Sequence, residues 1–64
     1  MADFYRDLVR ILQANGCYLI RKGKGSHEIW YSPVSRRNVT VPCTTKSRHT
    51  ANDVLAQAGL AKSF

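Results

Sequence analysis

With 64 residues the chain has room for one domain and a thin core, and too little for two domains or a deep enclosed cavity. Ten Lys and Arg against four Asp and Glu give a formal charge of +6, which points to a polyanionic partner: nucleic acid, a membrane surface or an acidic protein. No stretch approaches the ~20 apolar residues of a membrane helix. The start, Met1-Ala2-Asp3-Phe4-Tyr5-Arg6-Asp7, has no cationic region followed by an apolar run, so it does not read as a secretory signal and the cytoplasm is the expected location.

Residues 3–15 read as a helix. Phe4, Leu8, Ile11 and Leu12 recur at i, i+4, i+7 and i+8 and share one face. Asp3 is placed to cap its start and Gly16 to stop it. Residues 17–22 (Cys-Tyr-Leu-Ile-Arg-Lys) are rich in strand formers, and residues 23–26 (Gly-Lys-Gly-Ser) read as a turn. Residues 27–32 (His-Glu-Ile-Trp-Tyr-Ser) make a second strand, closed by Pro33 and a turn through residues 34–38. Residues 39–43 (Val-Thr-Val-Pro-Cys) alternate as a third strand, and Pro42 places its last part at a sheet edge or strand end. After a polar, basic connection over 44–48, Thr50 with Asp53 reads as a capping box for a second helix. Ala51, Val54, Leu55 and Ala58 share its apolar face, and Gly59 ends it with Leu60 folding back.

The order is therefore α-β-β-β-α, an α+β fold. Short turns imply an antiparallel meander, a three-stranded sheet with both helices on one face and the other face open. Residues 1–64 read as one domain, with 61–64 a loose tail. Cys17 and Cys43 form no CxxC pair and read as free thiols in small buried positions. With His27 and His49 they have the ligand types of a zinc site but not its spacing, so neither metal nor cofactor is expected.

The stretch with the most chemistry is Lys22-Gly23-Lys24-Gly25-Ser26-His27. Glycines let backbone approach a phosphate, lysines neutralise it, and histidine is the side chain suited to proton transfer near neutral pH. An ordinary Gly-Lys hairpin turn would look the same. Strand parity puts His27, Ile29 and Tyr31 on one face and Glu28 and Trp30 on the other. With Ile29 taken as core, Glu28 looks to solvent and His27 sits on the helix side at the sheet rim. There it is either a hydrogen-bonded structural residue or, if the rim is open or a bulge at Gly25 turns the ring, a functional one. Lys46-Ser47-Arg48-His49-Thr50 brings cations to a helix start, a natural phosphate site as well as an ordinary solvated cap. Arg36 and Arg37 extend the basic surface. Of Trp30 and Tyr31, one is expected in the core while the other is free to stack on a base.

The ordered set of residues resembles the HicA family of bacterial toxins, small ribonucleases of toxin–antitoxin pairs. The resemblance runs from about Phe4 to Leu60. It rests on Asn15-Gly16 ending the first helix, the turn Lys24-Gly25-Ser26-His27, the run Arg36-Arg37 followed by Val39-Thr40-Val41-Pro42, and the final helix ending Leu55-Ala56-Gln57-Ala58-Gly59-Leu60. It implies a fold similar to double-stranded-RNA-binding domains, cleavage of mRNA without a metal, His27 as the catalytic group, and inhibition by a HicB-type antitoxin covering the site. Many relatives carry two adjacent histidines where this chain has His27-Glu28, and the loop over 32–38 differs in length by about a residue. The second helix start lacks the Lys-Lys-x-Ala-Lys pattern of duplex binders, which argues against double-stranded RNA as the main ligand.

The resulting expectation is an endoribonuclease that holds RNA by its phosphates through Lys22, Lys24, Gly25, Ser26, Arg36, Arg37, Lys46 and Arg48, with His27 as general acid or base. RNA supplies its own nucleophile in the 2′-OH, so the chemistry needs no metal ion. His49 and Tyr31 are weaker candidates for a second proton-transfer group. The rival readings are a non-catalytic RNA-binding module of the same fold and a protein-interaction domain for an acidic partner.

Overall fold

The computed structural model describes residues 4–64. The expected Asp3 cap lies outside the described residues. The elements run α1 (Tyr5–Ala14), β1 (Tyr18–Lys22), β2 (His27–Ser32), β3 (Arg37–Pro42) and α2 (Arg48–Gln57). The strands form one antiparallel sheet in the order β1-β2-β3. The chain is an α+β fold of α-β-β-β-α order, with the double-stranded-RNA-binding-domain arrangement expected from the sequence.

Both helices turn their apolar stripes to the same side of the sheet. Leu8 and Leu12 of α1 and Ala51, Val54 and Leu55 of α2, with Ala58 at its end, meet Trp30, Val39 and Val41 in one core. Both helices also stop in the same way. Gly16 and Gly59 take positive φ (84° and 77°). The next residue's N–H returns to the carbonyl five positions back, Cys17 to Leu12 at 3.0 Å and Leu60 to Leu55 at 2.8 Å. That is the six-to-one bond of a Schellman ending, which glycine enters without a Cβ penalty. At α2 the cap lies earlier than expected. Ser47, not Thr50, caps the helix by accepting from the His49 N–H at 3.2 Å. Arg48, expected in the connection, and His49, expected just before the cap, therefore lie in the first helical turn.

The register decides which side of β2 faces the helices, and it corrects the sequence reading. Val39 and Val41 of β3 are buried and lie opposite Trp30 and Glu28. Glu28, Trp30 and Ser32 thus face the core, while His27, Ile29 and Tyr31 look to the open face. β2 keeps the expected parity with its sides reversed, because the buried alternation of Val39 and Val41 on the paired strand outweighs Ile29 in setting which side meets the helices. No bulge at Gly25 is needed to expose His27. The bulge lies in β1, where the register slips between Leu19 and Arg21. It brings Tyr18 opposite Tyr31 and Arg21 opposite Ile29, so both join the open face. The last four residues form no helix or strand, yet where a loose tail was expected their end is tied down. Asn52 holds the Phe64 backbone by two hydrogen bonds of 3.0 and 3.1 Å, and the Phe64 ring packs edge-on against Phe4.

Candidate functional site

The β1–β2 turn positions His27. Gly25 takes φ 61°, and the His27 N–H closes the turn on the Lys24 carbonyl at 3.2 Å. The Gly23 N–H bonds the His27 carbonyl at 2.8 Å, so the strand start is held on both sides of the residue. The ring is exposed. Its Nδ1 lies 3.3 Å from the Lys24 carbonyl. A proton on Nδ1 makes that contact a hydrogen bond and leaves Nε2 as the acceptor. No described residue bonds Nε2.

Behind this strand start lies a buried polar cluster. The Glu28 carboxylate, 7% exposed, accepts from the Tyr5 hydroxyl at 2.6 Å and from the Trp30 indole N–H at 3.1 Å. Burial alone would raise the Glu28 carboxyl. The donors Tyr5, Trp30 and Cys43, helped by the charge of Lys22, reverse this and hold it below its ordinary value. Burial and the adjoining carboxylate push the Tyr5 hydroxyl and the Cys43 thiol up, so both stay protonated as donors. Position 28 is therefore interior, on the opposite side of the sheet from His27. The Glu that follows His27 belongs to the packing beneath the strand.

The expected RNA-binding residues divide between two ends of the sheet. Lys24, Gly25 and Ser26 adjoin His27. Lys22 ends β1 beside them, on the Glu28 side by register. Cys43, just past β3, is tied here through its N–H to the Ser26 carbonyl at 2.7 Å. From there the chain runs through Lys46 to Arg48 at the start of α2. Arg36 and Arg37 lie at the other end, in the β2–β3 turn, with Arg37 opposite Ser32. Five residues of strand, about 17 Å, separate Ser32 from His27. Tyr31 is about 13 Å along β2 from His27, too far to share one phosphate with it as a proton-transfer partner. His49 is exposed in the first turn of α2. Trp30 is core and Tyr31 is the aromatic residue left on the open face. Tyr18 and Arg21 were not singled out from the sequence. Only the bulge places them beside Tyr31 and Ile29, and nothing in the local residue pattern announces it.

Among the described residues no pocket forms and no three His, Cys, Asp or Glu side chains gather. Any chemistry takes place on a surface. Fold and surface together define a small, strongly basic, two-layer α+β protein with one bare sheet face and a histidine at its rim. The family model described as the HicA toxin of bacterial toxin–antitoxin systems matches residues 5–60. The chain belongs to this HicA toxin family. Searches among curated proteins and among solved structures returned no match.

Proposed function

We propose that this toxin-family protein is a metal-independent endoribonuclease that cleaves mRNA, with His27 as general acid or base and a HicB-type antitoxin as the partner that covers the site. The observation that carries the reading is the disposition of His27: an exposed imidazole on the open sheet face, with Nδ1 turned to the Lys24 carbonyl and Nε2 toward solvent.

In the chemistry we infer, the cations at the strand start, Lys22 and Lys24, with Lys46 and Arg48 beyond β3, hold the ribose-phosphate chain. The Gly25 and Ser26 backbone allows close approach. Arg36 and Arg37 hold the same chain farther along. Nε2 takes the proton of a ribose 2′-OH as its oxygen attacks the adjoining phosphorus, or returns a proton to the departing 5′ oxygen. Since the substrate brings its own nucleophile, proton transfer and positioning suffice. Proton transfer of this kind is worth about 10²- to 10⁴-fold. Arg48 and His49 lie at the positive end of α2, where cations are electrostatically disfavoured, and a phosphate bound there would offset that cost.

The test is cleavage of RNA by the purified protein in excess EDTA, with His27→Ala compared directly. The expected result is that the variant binds RNA but cuts it at least about a hundredfold more slowly. Equal cutting by the variant removes His27 from the mechanism. Binding without any cutting by the parent leaves a non-catalytic RNA-binding module.

A further inference from the structure

Apart from His27 at its rim, the open face of the sheet has no part in the proton transfer, and no described residue packs upon it, yet its composition is specific. Tyr18 and Tyr31 lie side by side with ring centroids 5.5 Å apart, tilted at 42°. Tyr18 is 56% exposed. Next along the sheet comes the row Arg21, Ile29 and Thr40, and then His27 with Pro42. Arg36 and Arg37 flank the tyrosine end, and Lys24 flanks the histidine end. The described acidic residues all lie elsewhere: Asp7 on α1, Asp53 on α2 and Glu28 beneath the sheet. The face thus offers aromatic planes and positive charge, with no described carboxylate to repel a polyanion.

From this juxtaposition we infer that the open sheet face is a track for single-stranded RNA, with unpaired bases stacked on Tyr18 and Tyr31 and the strand led across Arg21 to the reacting phosphate at His27. The inference rests on the RNA-cleaving reading above and names its substrate class. It also explains why the cations of that reading sit at two separate ends: a chain that touches both must cross the face between them. The distance of about 13 Å between Tyr31 and His27 leaves room for about two or three bases, as on other RNA-binding sheet faces. A duplex does not fit this role, because its bases are already stacked and offer no free plane to a tyrosine. Stacking on aromatic rings tolerates any base, so the track selects for strandedness more than for sequence.

The test uses the His27→Ala protein, to keep the RNA intact, and a fluorescently labelled oligoribonucleotide without secondary structure. Its affinity is measured by anisotropy for this parent, for added Tyr18→Ala and Tyr31→Ala, and for the corresponding Phe changes. Each Ala change should weaken binding about tenfold or more, each Phe change should leave it nearly intact, and the same strand annealed to its complement should bind more weakly. Thermal melts establish that the variants fold. As a measurement that needs no tyrosine variant, NMR titration of the parent should move the Tyr18 and Tyr31 ring resonances upfield. Ala variants that bind as tightly as the parent, or rings that do not shift while RNA binds, overturn the track and leave the RNA reading standing. A parent that binds no RNA at moderate salt overturns both.

Discussion

A carboxylate placed under a sheet is costly unless donors surround it. Glu28 meets that condition through Tyr5, Trp30 and Cys43. The folded protein therefore holds this carboxyl below its unfolded value of 4.5. A depressed acid contributes stability above the unfolded value and loses it as pH falls toward the folded one. Stability measured by urea unfolding should accordingly decline as pH drops below about 4.5. Glu28→Gln should cost about 1.5–3 kcal/mol at neutral pH and flatten that acid limb. An acid limb of equal steepness in the variant would show that another group causes it. On the alkaline side the sign reverses. The Cys43 thiol is raised above 9.0 on folding, so its contribution to stability is constant around neutrality and is lost as pH climbs from 9.0 through the raised folded value. None of this was legible at position 28, because the donor Tyr5 lies 23 residues away in sequence and meets Glu28 only through the packing of α1.

At the level of elements, the helix ends show what local sequence does specify. Gly16 and Gly59 were readable as stops, and both adopt the left-handed backbone that a Schellman ending requires. They are also where the β2–β3 turn docks. A Cβ on Gly59 would come within 3.2 Å of Val34 and 3.3 Å of Ser35, and one on Gly16 within 3.3 Å of Pro33. Ser32 strengthens the same junction by donating to the Ala58 carbonyl at 2.7 Å. Gly25 shares the positive φ but has open space around it. Gly25→Ala should therefore cost only the backbone penalty, about 1 kcal/mol, and Gly59→Ala about 2 kcal/mol or more once the contacts are added. The check is the shift in urea midpoint at unchanged slope. Equal losses would mean that the turn gives way freely. The start of α2 and the face of β2 were less legible for a shared reason. Ser47 and Thr50 are both competent caps. Both parities of β2 contain apolar residues. Only the pairing with Val39 and Val41 separates the alternatives.

The whole molecule is two layers thick, 16 Å by its Cα atoms along the shortest axis against 31 and 26 Å along the others. One layer is the helices, so among the described residues one sheet face has no cover and carries no carboxylate. All ten Lys and Arg side chains are exposed, whereas the described carboxylates lie on the helices or beneath the sheet. If RNA crosses the bare face, Arg21, Lys24, Arg36 and Arg37 each displace a counterion from it. Each phosphate neutralised on a single strand contributes about −0.7 to the slope of log affinity against log salt, so these four account for about −3 of it, beyond the share of Lys22, Lys46 and Arg48. Arg36→Ala with Arg37→Ala, at the end remote from His27, should make it shallower by about 1.5. Arg36 holds a left-handed φ of 57°, which Ala tolerates no better than Arg, so the pair is best compared with Arg36→Gly and Arg37→Ala, where the backbone is unstrained. A slope left unchanged by either double change would mean that the strand never reaches the β2–β3 turn. The molecule would then grip RNA at the histidine end alone.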